Sequence, residues 1–238
     1  MKILCIGNSF SEDATRYIHQ IARADGYNMK VANLYIGGCS FHEHFKNIMT
    51  DAPAYDFQIN GHSTRIFTSI KTALLSDQWD YISLQQVSRQ SIDFDTYEPF
   101  MSTLSEYVKT YAPKAKQIIH QTWAYRPEST RMTNMGYSCH EDMFKDVEKA
   151  YIQAAKVIGT DIVVPSGAVM NQLVKNGLKN THRDEIHASS GIGRYALGLT
   201  WYKKLTGNSI DSNTFCDFDQ EITPEEIEII KKSVNEIL

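Results

Sequence analysis

The feature that most limits what this chain can become is an alternation. Short, almost purely aliphatic runs are separated by longer stretches of helical period. Lys2–Ile6, Met29–Tyr35, Tyr81–Leu84, Gln117–His120 and Asp161–Val164 read as five strands, and runs this short and continuously apolar suit strands covered on both faces. Between them, Ala14, Tyr17, Ile18, Ile21 and Ala22 form one apolar stripe behind a polar Ser11-Glu12-Asp13 start. Thr96–Tyr111 reads as a helix that stops before Pro113, and Glu141–Ile158 gathers Phe144, Val147, Ala150, Tyr151, Ala154 and Ala155 on one side. A further helix runs over Ile192–Leu205 and ends at Gly207. The last one has the clearest start: Thr223-Pro224-Glu225-Glu226 is a capping box with Pro at the first helical position, which Ile222 and Ile227 can staple. Asp51–Ser63, with Pro53 and Asn60-Gly61, interrupts the alternation and reads as a surface insertion or irregular hairpin.

Strand–helix alternation predicts right-handed crossovers and an α/β fold in which a parallel sheet is sandwiched by helices. Ligands in such a fold sit beyond the carboxyl ends of the strands. The loops to search are therefore Gly7–Ser11, Gly37–Phe41, Gln85–Ser91, Gln121–Arg126 and the segment before the helix at Ile192.

Composition removes several function classes. The chain has 238 residues, 24 basic and 28 acidic side chains and a formal charge of −4, with both signs spread along it. Nucleic-acid or anionic-membrane surfaces need clustered Lys and Arg, so neither is expected as a partner. Cys5, Cys39, Cys139 and Cys216 are far apart and form no C-x-x-C pair, which argues for reduced thiols rather than a disulfide scaffold or zinc site. The apolar runs are too short to span a membrane. Met1–Ile6 is too short for a signal-peptide core, so the chain as written is expected in the cytoplasm, with export open if a signal segment has been removed. No G-x-G-x-x-G or G-x-x-x-x-G-K loop occurs, and no cofactor is expected.

Two loops carry residues with chemistry. Ile6-Gly7-Asn8-Ser9-Phe10-Ser11 places a serine at a tight strand-to-helix turn, where its N–H can face a developing oxyanion. Ser9-x-x-Glu12 is also a capping-box pattern, so Ser9 as a mere helix cap stays open. Asp184 and His187, three apart in a loop, can meet through the imidazole Nδ1, leaving Nε2 free to take a proton from a serine. In a parallel sheet the two loops open on the same edge, as nucleophilic catalysis requires.

These residues resemble the SGNH/GDSL-type serine hydrolases, an esterase and lipase superfamily. Gly7-Asn8-Ser9-Phe10-Ser11 is similar to their first block, usually Gly-Asp-Ser-x-Ser, and Asp184-x-x-His187 to their last. Asn33–Ser40, with Gly37-Gly38, resembles the second block, in which a glycine donates an oxyanion N–H; the resemblance points to Gly38. Trp79–Gln86 and Gln121–Tyr125 further resemble an uncharacterised gut-bacterial branch of that superfamily. The resemblance implies a three-layer α/β/α sandwich, flavodoxin-like, with a five-stranded parallel sheet, a Ser-His-Asp triad of Ser9, His187 and Asp184, and no cofactor. It also implies a single domain over residues 1–238, since any boundary between 9 and 184 would part nucleophile from base. Two departures stand out. Asn8 replaces the usual Asp, and the third block, normally Gly-x-Asn-Asp, is replaced by Gln85-Gln86-Val87-Ser88, which has no Asn. A Gln amide is the same donor on a longer arm, so Gln86, with Gln85 as rival, is expected to complete the oxyanion hole beside the Ser9 and Gly38 N–H groups.

Trp123 and Tyr125 follow the fourth strand, where aromatic rings can stack on sugar faces. With Arg89 as an anion or hydroxyl contact, they are the expected substrate-binding residues. The resulting expectation is a serine esterase acting on a short acyl ester, an O-acetyl group on a carbohydrate being preferred. Two alternatives remain: a flavodoxin-like small-molecule or carbohydrate-binding module without catalysis, and a metal-dependent hydrolase built on His42, His44 and His182.

Overall fold

The computed structural model describes residues 1–238. Along the chain it runs β1 (Lys2–Gly7), α1 (Ser9–Thr15), α2 (Ile18–Ala24), β2 (Lys30–Tyr35), α3 (Phe41–Thr50), β3 (Tyr55–Ile59), β4 (His62–Thr68), α4 (Ile70–Leu75) and β5 (Tyr81–Leu84). It continues with α5 (Phe100–Tyr111), β6 (Lys116–His120), α6 (Thr130–Asn134), α7 (His140–Ile158), β7 (Val163–Val164), α8 (Ser166–Lys175), α9 (Ile192–Thr206) and α10 (Pro224–Ile237). The strands form one sheet in the order β4-β3-β2-β1-β5-β6-β7.

The five strands expected from sequence are all present and pair in parallel, as β2-β1-β5-β6-β7. The sheet nevertheless has seven strands, not five, and is not all parallel. The segment expected as an insertion forms the hairpin β3–β4, which adds to the edge of β2 in antiparallel register, Ala32 opposite Ile59 and Tyr35 opposite Asp56. Its turn is Asn60-Gly61, both at positive φ (52° and 84°), as a type I′ hairpin requires. β4 lies at the edge and is largely solvent-exposed. It carries polar side chains where a central strand would be apolar, which hid it from a search for aliphatic runs.

Side-chain alternation sorts the core into two layers. Ile3, Cys5 and Val31 face α1, α2, α8, α9 and α10, whereas Leu4, Ile6, Ala32 and Leu34 face α3, α4, α5 and α7. The expected stripe through Ala14 and Ile21 is buried, but it belongs to two helices that break between Thr15 and Ile18. The helix expected from Thr96 begins at Phe100, and α3, α4, α6 and α8 were not read from the sequence. α10 opens with the expected Thr223–Glu226 capping box. No helix is long and apolar enough to cross a membrane.

The hairpin turn is locked to the junction of α1 and α2. A Cβ on Gly61 would lie 2.2 Å from the Arg16 carbonyl oxygen, and Arg16 Nη1 donates to Gly61 O at 3.3 Å. Gly61→Ala therefore combines a positive φ with a backbone collision, and should cost about 2 kcal/mol or more in urea unfolding. A loss below about 0.5 kcal/mol would show that the hairpin tolerates displacement from α1.

Candidate active site

Ser9 is the first residue of α1. Asn8 caps that helix by accepting the Phe10 N–H at 3.0 Å. The cap is thus Asn8, not Ser9, and the Ser9 hydroxyl points elsewhere: Ser9 Oγ and His187 Nε2 are 2.9 Å apart. His187 Nδ1 is 2.7 Å from Asp184 Oδ2, and Asp184 Oδ1 accepts the Ile186 and His187 N–H groups at 2.8 and 2.7 Å. Partial burial alone would raise the Asp184 carboxyl. The two N–H groups and the imidazole outweigh that and bring it down to about 2. Residues 178 positions apart thus meet at the carboxyl edge of the sheet.

The His187 loop is pinned from several sides. His182 bridges to Ala188, and the Arg183 N–H donates to His187 O at 3.0 Å. Beneath it sits a carboxylate that sequence reading passed over. Asp13 is fully buried one turn after Ser9 and accepts Arg183 Nη1 on both oxygens, at 2.7 and 2.8 Å, and Arg194 Nε at 2.9 Å. Arg183 Nη1 also donates to Ala188 O, closing the segment that carries Asp184 and His187. Arg194 continues to Asp219, which Arg16 holds through two further bonds. Burial raises the Asp13 carboxyl, and the two guanidiniums counter that rise. The available signal was the position of Asp13, four before Tyr17 on the buried stripe, where a charge needs a partner.

The oxyanion expectations divide. Gly38 lines the cleft at φ 66°, and its N–H bonds no backbone carbonyl. The Ser9 N–H begins a helix and has no intrahelical acceptor. Gln86 does not reach the cleft: its amide nitrogen donates to Thr96, while its oxygen accepts from Phe41 and Val87. Gln85 is also spent, since Nε2 donates to Asn8 Oδ1 at 2.9 Å and Oε1 faces His120 Nδ1. His120 is fully buried, which holds its imidazole neutral with a pKa of about 3, and its Nε2 lies 3.0 Å from Ser166 Oγ. Because Gln85 Oε1 can only accept, Nδ1 carries the proton and Nε2 accepts from Ser166. At the far end Asn8 Nδ2 donates to Cys39 O at 2.9 Å, a bond that an aspartate could not make.

The cleft around Ser9 has a volume of about 360 Å³. Tyr125 and Arg89 line it, together with Tyr35, Ser88 and Arg131, which the sequence did not single out. Trp123 does not. It is fully buried, stacks on Phe10 with ring centroids 4.1 Å apart, and donates from Nε1 to Ile186 O at 2.9 Å, so it supports the His187 loop from below. The histidine metal site is not assembled. His42 and His44 lie on α3 rather than on an extended segment, so they point apart: His42 is exposed, and His44 is buried against Tyr55 Oη at 2.8 Å. His182 is committed to Thr181 and Ala124 O, and no group of three His, Cys, Asp or Glu is placed to hold a metal.

The profile of one protein family, described as a domain of unknown function (DUF4886), matches residues 2–235. The crystal structure of a DUF4886 family protein from Bacteroides uniformis ATCC 8492 superposes with a TM-score of 0.93 at 31% identity, over 99% of this chain and 93% of that one. The chain belongs to the DUF4886 family. A protein of Slackia heliotrinireducens, provisionally described as an SGNH hydrolase, superposes at TM-score 0.61 and 22% identity, over 86% of this chain and 98% of that one. A family 3 carbohydrate esterase of Clostridium thermocellum does so at TM-score 0.51 and 12% identity, over 85% and 94%. These two likenesses show a fold similar to that of SGNH hydrolases. No curated protein matches the sequence.

Removing one partner of a buried charge network leaves the others desolvated and unpaired. Asp13→Ala should therefore cost about 3–5 kcal/mol in urea unfolding, far above a surface carboxylate such as Asp142. Equal costs at the two positions would deny the network its role.

Proposed function

We propose that the protein is a serine esterase acting on short acyl esters, with Ser9 as nucleophile, His187 as general base and acid, and Asp184 as its orienting partner. The observation that carries this reading is the unbroken line Asp184–His187–Ser9, with spacings of 2.7 and 2.9 Å, opening on a cleft. Ser9 Oγ attacks the ester carbonyl carbon as its proton passes to His187 Nε2. The oxyanion is held by the N–H groups of Ser9 and Gly38. Collapse expels the alcohol, which takes the proton back from Nε2 and leaves an acyl group on Ser9. Water, deprotonated by His187, then releases the acid and restores the serine. An acetyl group on a carbohydrate is the preferred substrate, in keeping with the small cleft, the Tyr35 and Tyr125 rings and the esterase named among the structural neighbours.

Turnover of 4-nitrophenyl acetate should fall by about 10³-fold or more in Ser9→Ala and His187→Ala and resist chelators. Full activity in Ser9→Ala, or abolition by chelation, contradicts the assignment.

The pH profile separates the two members of the Asp184–His187 pair. The Asp184 carboxyl is depressed in the folded protein, so the stability it contributes is present above the usual carboxylate range and is lost as pH falls through about 2. Asp184 therefore stays ionised across the working range. A decline of kcat/KM between pH 7 and 4 therefore does not come from Asp184, and is the behaviour expected where an imidazole must be neutral to act as base. A profile flat to pH 4 would mean that no imidazole acts as base.

A further inference from the structure

The cleft has a charge that the whole-chain balance conceals. Acidic residues outnumber basic ones, 28 to 24, yet the residues bordering the cleft include two arginines, Arg89 and Arg131, and no carboxylate. Arg16, Arg131, Arg183 and Arg194 are ion-paired; Arg89 is not. It is exposed and follows Ser88 on a single 3₁₀ turn, Ser88–Gln90. Its Nη1 stands 3.8 Å from where a Cβ on Gly38 would lie, beside the oxyanion turn. Arg131 approaches Glu185 with Nε at 3.4 Å, and none of its guanidinium nitrogens makes a hydrogen bond, while Glu185 Oε1 is already held by Thr130.

A guanidinium is a planar fork that matches a carboxylate, and two of them around a small acid-free cleft favour an anion there over a neutral or cationic group. Resting on the reading of Ser9 as nucleophile, we propose that the substrate is an ester carrying a carboxylate elsewhere in the molecule, bound by Arg89 and Arg131 while Ser9 attacks the ester carbonyl. The distal carboxylate is unchanged by the reaction. Water is consumed, one ester bond breaks, and an acid and an alcohol leave. The preferred substrate is thereby narrowed from an acylated carbohydrate in general to an acidic ester, such as an acylated sugar acid or hydroxy acid.

The test compares kcat/KM for matched pairs differing only in the charge. On the acyl side these are 4-nitrophenyl hydrogen adipate and its methyl ester. On the alcohol side they are 4-acetoxybenzoate and its methyl ester. Each rate is divided by that ester's hydroxide-catalysed rate, which removes intrinsic reactivity. The carboxylate member should be favoured about tenfold or more in one pair, which also locates the anion on the acyl or alcohol side. The preference should shrink with added salt and fall toward unity in Arg89→Ala, with a smaller fall in Arg131→Ala. Ser9-dependent turnover with no carboxylate preference in either pair overturns the inference and leaves the esterase intact. A preference that survives both arginine replacements overturns the assignment to these residues. No Ser9-dependent turnover of any of the four esters removes the esterase reading and this inference together.

Discussion

A single buried carboxylate ties the two ends of the chain into one site. A parallel sheet delivers loops to a common edge but does not set the distance between them, and Ser9 and His187 are 178 residues apart. Asp13 supplies that distance. It sits one turn beyond Ser9 on α1 and receives Arg183, the residue before Asp184, and Arg194 from the first turn of α9. Its desolvation is tolerable only because both guanidiniums are present, so displacement of the His187 loop would strand a charge. Trp123 adds the apolar counterpart, stacked under Phe10 and bonded to Ile186 O.

A second buried chain sets the turn at Gly38. Ser166, His120, Gln85 and Asn8 form a directional series of hydrogen bonds that ends on the Cys39 carbonyl, one residue past Gly38. Each amide in the series donates on one side and accepts on the other. A carboxylate at position 8 would place two acceptors face to face at Cys39. Asn8 and Gln85 are therefore a matched pair: the departure from the usual Gly-Asp-Ser and the loss of the third-block Asn are two consequences of one network. With both glutamines turned inward, the cleft is left to backbone N–H groups, Ser88 and the arginines.

Much of this was legible in the residues. The five parallel strands follow from aliphatic runs that could only be covered on both faces, and Asp184-x-x-His187 lies where the topology requires it. What escaped was whatever depends on a partner far away in sequence. β3 and β4 lack a continuous apolar run because one lies at the edge and the other beside it, and only the Asn60-Gly61 turn announced them. Gln85 and Gln86 were chosen as oxyanion donors for their chemistry, but a side chain's donors cannot be assigned until its competitors are known, and those are Asn8 and Thr96. Trp123 was expected at the rim because it follows a strand end, yet its indole N–H found a buried carbonyl instead. His42 and His44 were paired on the geometry of a strand, and the Ser40 capping box makes the segment a helix.

The central claim is that the Ser9 hydroxyl is an activated nucleophile rather than one more buried hydrogen bond. The most direct measurement is covalent capture: the folded protein treated with a fluorophosphonate, followed by intact-mass and peptide mass spectrometry. We expect one adduct per chain, on the peptide carrying Ser9, formed at neutral pH and absent after prior unfolding. An unmodified protein, or an adduct on any other serine with Ser9 untouched, would contradict the account.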